Sequence, residues 1–579
     1  MERSRSPVAV LALIAGLFLA SLAGSPSHAQ VPPPVPPPPS PPLGPPILRE
    51  EPRPTPSPPL ILPPLPPSPP GELQLAPRER VFVRRIRVDG STVFSAEDLA
   101  RLTTRYESRE VTSEDLEELR LALTRLYIDR GYVNSGAVLP DQTVTDGVIT
   151  YRIIEGKLTR IDVEGTRWFR PGYIRRRVEL GASDPLNIDE LQPRLQILLE
   201  DPRIRRLGAD LKPGLRLGES VLDVTVEERP PYRLSLDFDN YQPPAVGAER
   251  GIVTVEHLNL TGNGDVLTLR YGKAEGLDPM LDFKYSLPFT ARDTTFSFQY
   301  RRNDYTIVEE PFKDLDITSK SEIFTLTLRQ PLYRTLNHEV AMELSGERLS
   351  NVTTLLGEKF SLVPGAENGE AVVSVIRWAQ EWIYRTERQV VAARSRLSFG
   401  IDALGSTIHS DGDIPDSRFF AWLGQFQWIR RLPVLDTTLI FRTDVQLTPD
   451  PLLVFEQVPI GGRYSVRGYR EFTRITDNAL LASLEARVPI VRNVAWADYL
   501  ELAPFFDFGR GWNTNSNEVQ TLYSIGIGLR WAVTLPWLVA VRPQFEFYWG
   551  HPLKDVKTFG ANNTFQDEGL HFQIMVSAF

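Results

Sequence analysis

The feature that most constrains the fold of this chain is a two-residue alternation of apolar and polar side chains that begins after Pro230-Pro231. Successive side chains of a strand point to opposite faces, so each alternating segment predicts a strand with one apolar and one polar face. The clearest segments are 232–241, 281–287, 296–301, 324–329, 417–430 and 570–579. A secreted sandwich also alternates, but here about 350 residues continue without a helical pattern, and the polar face carries charges suited to a watery lumen.

Only a closed barrel satisfies every backbone amide in lipid without a helix. At about 22 residues for a strand and its loop, the segment accommodates about 16 strands. The sequence therefore predicts a C-terminal 16-stranded antiparallel transmembrane β-barrel over residues 230–579. The terminal Phe579 is interpreted as the aromatic assembly signal that is common on bacterial barrels.

The N-terminus has the order of a secretory signal peptide. Arg3 and Arg5 precede an apolar run from Val8 to Leu22, and Ser27-His28-Ala29 offers a small-x-small cleavage site. We predict a signal peptide at residues 1–29, and hence export. No later segment approaches the 18 uninterrupted apolar residues of a membrane helix, so the mature chain is expected to have none.

Residues 30–78 are dominated by proline, with 22 of the 50 prolines of the chain between residues 31 and 70. Proline fixes φ and removes an amide donor, so this segment is predicted to be an extended periplasmic tether without a core of its own. A ligand for a periplasmic or cell-wall partner is the alternative interpretation.

Two compact α/β units are predicted between the tether and the barrel, at residues 79–156 and 157–229. In the first, an alternating strand at 81–88 precedes two helices, which begin near Ser95 and Thr112, and two further strands follow. The β-α-α-β-β order repeats at once in the second unit.

Composition excludes several classes of function. The net charge of −9 gives no reason to expect nucleic acid, and the absence of cysteine excludes disulfides, thiolate metal sites and cysteine nucleophiles. The six histidines form no metalloprotease motif, and there is no nucleotide motif. We predict no catalytic residue, no metal and no cofactor. An enzyme and a plain solute porin are therefore the less favoured classes.

Two groups of motifs lie at defined positions. The first follows the second helix of the first unit, where the glycines suit a helix stop, a hairpin turn and a domain junction. Its residues are Gly131, Tyr132, Pro140, Gln142, Asp146, Gly147, Glu155 and Gly156. The second group joins Val466-Arg467-Gly468-Tyr469, in a long segment at 448–476, to Phe506-Asp507-Phe508-Gly509 downstream.

These motifs resemble those of the two-partner secretion transporters, the TpsB family of ShlB/FhaC/HecB type within the BamA-like POTRA-barrel superfamily. The resemblance covers residues 79–579 and implies that the two α/β units are POTRA domains. It also implies that segment 448–476 follows the eleventh barrel strand and folds into the lumen. Arg467 would there pair with Asp507 on the thirteenth strand, beside Phe506 and Gly509.

The resemblance implies an outer-membrane transporter with periplasmic POTRA domains, which captures an unfolded TpsA-type exoprotein and passes it to the cell surface. Outer-membrane lipid and the barrel assembly machinery are its other expected partners. An assembly factor of the BamA/TamA kind is the alternative. Such transporters often carry an N-terminal plug helix, and the proline tract departs from that pattern because proline cannot sustain a helix.

Overall fold

The structure is a computed structural model that describes residues 80–535, 541–556 and 563–578. The predicted signal peptide, the proline-rich tether and Phe579 lie outside the described residues. Two small α/β units are followed by one closed barrel. Within these ranges, none of the helices has both the length and the apolar character needed to span a bilayer.

The first α/β unit contains a three-stranded sheet of order β2-β5-β4, covered by two helices. Both helices begin where the sequence predicts, because the hydroxyl groups of Ser95 and Thr112 accept from the backbone of the first helical turn. The elements are β1 Val81–Val83, β2 Arg85–Asp89, α1 Ala96–Thr103, β3 Arg109–Val111, α2 Ser113–Ile128, β4 Gly136–Val138 and β5 Val148–Ile154.

The strand predicted at 81–88 is divided at Arg84. The N–H groups of Arg84 and Arg85 both donate to the carbonyl of Gly147, and β1 leaves the sheet to pair with β3. The sequence did not indicate β3, because three residues are too few for a periodic pattern to be recognised.

The second unit has the β-α-α-β-β order that the sequence predicts. Its sheet order, β6-β8-β7, repeats that of the first unit. In both units the central strand of the sheet is parallel to the first strand in the chain and antiparallel to the other neighbour. The elements are β6 Lys157–Glu164, α3 Pro171–Glu179, α4 Ile188–Leu199, β7 Ile204–Pro213 and β8 Glu219–Glu228.

A seven-residue segment occurs at the same place in both units, and its sequence is similar in the two. The segments are VDGSTVF at 88–94 and VEGTRWF at 163–169. Their glycines, Gly90 and Gly165, have φ of +89° and +79°. A Cβ on either would lie 2.7 or 2.5 Å from a carbonyl oxygen of the neighbouring strand, so both positions require glycine.

A glutamate holds each of these segments. Glu155 accepts from the N–H groups of Thr92 and Val93 at 2.7 and 3.1 Å, and from the Tyr127 hydroxyl at 2.9 Å. Burial disfavours the Glu155 carboxylate, but these hydrogen bonds outweigh it and lower its pKa. Glu228 occupies the same place in the second unit and accepts from the N–H groups of residues 167–169 at 2.8–3.2 Å.

The barrel contains 16 antiparallel wall strands and closes where the last strand pairs with the first, which confirms the predicted fold class. The two-residue strand β16 Glu358–Lys359 extends one hairpin, and two short strands, introduced below, lie outside the wall. The wall strands are β9 Tyr232–Asp239, β10 Arg250–His257, β11 Val266–Ala274, β12 Leu277–Pro288, β13 Thr295–Thr306, β14 Thr318–Arg334, β15 His338–Leu355, β17 Glu370–Arg385, β18 Gln389–Gly400, β19 Phe420–Arg431, β20 Thr438–Leu447, β23 Asn478–Val494, β24 Ala497–Trp512, β25 Val519–Ala532, β26 Arg542–Pro552 and β27 Leu570–Ala578.

The apolar face of the predicted alternation points outward. Leu236, Phe238, Phe296 and Leu326 are 44–51% exposed, as residues that meet lipid should be. The polar face points into the lumen, where Gln425 is buried.

Ion pairs line the lumen along the inner face of β13–β18. Arginines on β13, β14, β17 and β18 pair with glutamates on β15 and β17, which lie one or two strands away. The pairs are Arg301–Glu347, Glu347–Arg377, Glu343–Arg394, Arg394–Glu381, Glu381–Arg329 and Arg329–Glu339, with N–O distances of 2.7–3.5 Å.

The second α/β unit contacts one end of the barrel. Arg177 on α3 pairs with Asp293, in the turn between β12 and β13, at 2.5 Å. Arg203 donates to the carbonyls of Leu258 and Gly264, in the turn between β10 and β11, at 2.7 Å each. Counted in wall order from β9, the turns after the second, fourth and other even positions therefore face the α/β units, and the loops after the odd positions lie at the opposite end.

We expect Glu228→Gln to loosen segment 166–169, because the neutral amide is a weaker acceptor for three backbone N–H groups and presents a donor in place of one oxygen. Hydrogen-exchange mass spectrometry of the full chain in detergent should show faster exchange at these amides. Glu227→Gln is the matched control, since Glu227 is exposed and pairs with Arg205. Equal exchange in both variants would contradict this role.

Candidate functional site

The segment between β20 and β23, residues 448–477, folds into the barrel interior, and we call it the inner loop. It leaves the end of the barrel opposite the α/β units. Within it, β21 Val458–Ile460 pairs with β22 Arg474–Thr476. In the wall order β20 is the eleventh strand and β24 the thirteenth. The inner loop and its partner strand thus occupy the positions implied by the family resemblance.

Arg467 of the inner loop contacts Asp507 on β24 through three hydrogen bonds. Its backbone N–H and its Nε donate to Oδ2 at 3.0 and 2.7 Å, and Nη2 donates to Oδ1 at 2.8 Å. The planar guanidinium thus meets the carboxylate through two parallel bonds. Both side chains are at most 3% exposed, so neither charge has water as an alternative partner.

A second carboxylate and two rings complete the surroundings of Arg467. Glu485 on β23 pairs with Nη1, and Ser483 donates to Asp507 at 2.6 Å. The guanidinium lies 3.5 Å from the ring centroid of Phe505 and 5.0 Å from that of Tyr548. Arg467 therefore joins the inner loop to three wall strands, β23, β24 and β26.

Gly509 of the F-D-x-G motif makes room for the inner loop. A Cβ at this position would lie 2.7 Å from side-chain carbons of both Ile460 and Val466. Val466 is fully buried, in a cluster that includes Leu481 and Leu522. The glycine on the wall and the valine on the loop therefore form one packed contact.

Gly468 lies against the backbone of β26. Its φ is +91°, and a Cβ would lie 2.8 Å from the carbonyl of Gly550. Its N–H donates to Nε2 of the buried His571 at 3.3 Å. The next residue, Tyr469, donates its hydroxyl to the carbonyl of Lys554 at 2.9 Å. All four residues of the Val466–Tyr469 motif are thus in contact with the wall or its loops.

Phe506 does not belong to the site. Side chains alternate along β24, so Asp507 points into the lumen and Phe506 points outward, where it is 40% exposed. The aromatic residue beside the ion pair is Phe505. Sequence reasoning also missed Glu485. Its place on the lumen face of a wall strand was visible in the alternation, but nothing distinguished it from the other charged lumen residues.

Gln142 of the first-unit signature takes the place of a strand residue. The β4–β5 ladder ends at Val138–Arg152, and the Gln142 side chain continues it by bonding both backbone groups of Thr150 at 2.8 Å. Pro140 immediately precedes this contact, with its carbonyl 3.4 Å from the Gln142 amide. The side-chain amide therefore satisfies backbone groups at the sheet edge.

Three further signature residues shape turns. Asp146 and Gly147, with φ of +53° and +69°, form the turn into β5. Tyr132 follows the end of α2 and packs its ring edge-on against Tyr127.

Gly131 and Gly156 lie at the junction with the second unit. The carbonyl of Gly131 accepts from Ile188, and that of Gly156 accepts from Leu186 at 2.7 Å. A Cβ on Gly131 would lie 2.3 Å from Asn187. The signature therefore combines sheet-edge, turn and junction residues. Nowhere in the described residues do three or more potential metal ligands cluster.

Residues 81–156 match the model of the ShlB-type POTRA domain. A POTRA domain ahead of a 16-stranded barrel with an inner loop defines a POTRA-barrel protein of the bacterial outer membrane. The model of the haemolysin secretion/activation family ShlB/FhaC/HecB matches residues 218–531, and the chain belongs to this family of outer-membrane transporters. The first α/β unit and the turns of the barrel near the units are therefore periplasmic, and the opposite loops are extracellular.

Curated relatives are consistent with this membership. The chain is 24% identical over 402 residues to the outer membrane transporter CdiB of Dickeya dadantii, covering 67% of this chain and 69% of the relative. It is 24% identical over 443 residues to the hemolysin transporter protein ShlB of Serratia marcescens, covering 72% and 73%.

Two solved structures share the fold. CdiB from Escherichia coli superposes with a TM-score of 0.64 at 20% identity, covering 88% of this chain and 92% of that one. BamA from Haemophilus ducreyi, lacking POTRA domains 1–3, superposes with a TM-score of 0.50 at 14% identity, covering 86% and 100%.

We expect Arg467→Lys to reduce secretion of the partner protein about tenfold or more, because one ammonium cannot satisfy two buried carboxylates and removing a buried partner is costly. The barrel should remain folded, which its heat-modifiable migration on a gel reports. Arg418→Lys is the control, since Arg418 is half exposed and pairs with Asp416 in an extracellular loop. Normal secretion by Arg467→Lys would remove the inner-loop arginine from the mechanism.

We expect Gly468→Ala to impair secretion as well, because the new methyl group would displace the inner loop from β26. Gly405→Ala separates this clash from backbone strain: Gly405 also has a positive φ, of +76°, but has open space around its Cβ position. Secretion assays should show a loss only for Gly468→Ala. Equal losses would point to backbone strain as the cause.

Proposed function

We propose that this chain exports one large exoprotein, which it captures unfolded in the periplasm and passes through its barrel to the cell surface. Membership of the secretion family is the observation that carries the proposal. We also propose that the second α/β unit, residues 157–229, is a POTRA domain, because it repeats the glycine, glutamate and strand order of the first.

The sheets of the two units suit the capture of an extended chain. In the described residues, β4 and β7 are edge strands, each paired with one neighbour; the outward N–H of Ala137 on β4 already donates to Thr124, so β7 is the more open edge. An unfolded client can add to such an edge through main-chain hydrogen bonds, which depend little on its sequence. The second unit contacts the periplasmic turns, so a client held there would lie beside the barrel entrance.

The inner loop provides the proposed control of the conduit. It crosses the lumen, with Glu456 bonded to Arg377 on one wall at 2.6 Å and Arg467 bonded to Asp507 on another. A client must displace or pass this loop. No nucleotide motif is present in the sequence, so we infer that folding of the client outside the cell supplies the free energy of transport.

Deleting the gene for this chain in its own bacterium distinguishes secretion from barrel assembly. If the proposal is right, the proteins at the surface and in the medium should lose one large exoprotein, whereas the other outer-membrane barrels should keep their levels. Complementation with the wild-type chain should restore the exoprotein, and Arg467→Ala should not. A general loss of outer-membrane barrels would instead support an assembly factor of the BamA kind.

A further inference from the structure

The segment Thr166–Arg170 of the second α/β unit lies against the lipid-facing side of the barrel wall. The ring of Trp168 packs edge-on against that of Tyr232, with the ring centroids 5.4 Å apart. Tyr232 is the first residue of β9, on the same outward face as Leu234 and Phe238, and it is 52% exposed. Trp168 is therefore next to the surface that meets lipid, at the periplasmic end of the wall.

Tyr232 belongs to a group of aromatic rings at this end of the wall. His257, the last residue of β10, is directly opposite Tyr232 and packs edge-on against it at 4.9 Å. Tyr285 on β12 also faces outward, and its hydroxyl donates to Asp265 in the β10–β11 turn at 3.0 Å. Rings that have one apolar side and one polar tip are favoured where the bilayer meets water. This group therefore places Trp168 at the depth of the periplasmic headgroups.

Two arginines flank Trp168. The guanidinium of Arg167 lies 5.0 Å from the centroid of the Trp168 ring. The N–H of Arg170 donates to the carbonyl of Gly262 in the β10–β11 turn at 2.9 Å, which holds the segment on the rim of the barrel. Both arginines are exposed, and among the described residues neither is in an ion pair, unlike Arg160 of the same unit. Two positive charges are thus available beside the tryptophan.

The corresponding segment of the first unit lacks all three side chains. VDGSTVFS at 88–95 aligns with VEGTRWFR at 163–170, and a glutamate holds the backbone of each in the same way. The residues that differ are Thr92 and Arg167, Val93 and Trp168, and Ser95 and Arg170. The shared backbone conformation therefore requires neither arginine nor tryptophan, and these side chains occur in the unit that contacts the barrel.

Arg170 occupies a position where a small hydroxyl residue would stabilise the unit. It is the N-cap of α3 and makes no side-chain capping bond, whereas Ser95, at the same place in the first unit, caps α1. Serine is among the most favourable N-cap residues, because its hydroxyl accepts from a free amide of the first turn. Local stability therefore does not account for an arginine here.

We propose that Arg167, Trp168 and Arg170 form a binding site for the headgroup of an anionic phospholipid in the periplasmic leaflet of the outer membrane. A guanidinium can donate two parallel hydrogen bonds to phosphate oxygens, and tryptophan is favoured where headgroups meet acyl chains. The bound lipid bridges the second unit and the barrel wall. It thereby holds this unit at the barrel entrance without entering the lumen.

Exchanging the three side chains for those of the first unit tests the site. The variant R167T/W168V/R170S should fold, because the first unit carries these side chains in the same conformation, and the serine supplies the missing cap. Native mass spectrometry of the full chain in neutral detergent compares phosphatidylglycerol with phosphatidylcholine of the same acyl chains. We expect phosphatidylglycerol to bind the variant about tenfold or more weakly, since each basic residue contributes several-fold to attraction by anionic lipid. Phosphatidylcholine binding should change less.

R160Q/R216Q is the matched control, because it removes two positive charges from exposed positions of the same unit. Arg160 lies on β6 and Arg216 lies in the β7–β8 hairpin turn, beside the first unit. This control should bind phosphatidylglycerol as the wild type does. Equal losses in the two variants would show a general attraction by charge, and wild-type binding by R167T/W168V/R170S would show that the segment holds no lipid. Either result would overturn the proposal.

A fluorophore on a single cysteine locates the segment, because the chain has no cysteine of its own. In lipid nanodiscs, lipids with spin-labelled headgroups should quench a label on Thr166→Cys. They should not quench a label on Leu215→Cys, since Leu215 is fully exposed in the β7–β8 hairpin turn. Equal quenching at the two positions, or none at residue 166, would contradict the placement of the segment at the headgroups.

Competition with glycerol 3-phosphate distinguishes a membrane lipid from a soluble phosphate. We expect it not to displace phosphatidylglycerol, because it has no acyl chain to lie against Trp168 and Tyr232. Displacement at equal concentration would show that the site takes a soluble phosphate and would overturn the proposal. These measurements involve no client, so their failure would leave the proposed function intact.

Discussion

The constraint on which the rest of this structure depends is that backbone amides in lipid must find partners within the protein. A chain of strands meets it only when the last strand bonds to the first, here β27 to β9. The strand alternation then puts an apolar face toward lipid and places ion pairs such as Arg301–Glu347 on the lumen face. The interior can therefore carry ion pairs, a folded loop and a pathway, none of which lipid would tolerate.

The inner loop is held by shape as much as by charge. Arg467 supplies bonds to two carboxylates, but the loop approaches the wall closely because Gly509 and Gly550 lack side chains where Val466 and Gly468 arrive. An ion pair alone would tolerate a shift of the loop, whereas packed backbone does not. The arrangement therefore has one well-defined closed position.

Much of this architecture was predictable from sequence because periodicity reports which face a side chain occupies. The strand alternation predicts the barrel, the helix caps locate the helices of the first unit, and the family resemblance places Arg467 near Asp507. The sequence is less informative about single side chains of the site. The family resemblance implies that Phe506 lies beside the ion pair, whereas alternation with Asp507 points it outward, and nothing in the sequence distinguishes Glu485 from the other lumen charges. The VDGSTVF and VEGTRWF repeat was readable, but its glutamate partners lie some 60 residues away, and only the folded sheets bring them together.

The paired charges along β13–β18 bear on how a long polypeptide could travel through such a pore. A lining of one sign would hold oppositely charged stretches of cargo in a deep potential well and repel the others. Here the field changes sign over a few ångströms, because arginines such as Arg329 and Arg377 are paired with glutamates. Passage requires binding that is weak at every point. This part of the wall would consequently hold neither acidic nor basic segments of an unfolded chain strongly.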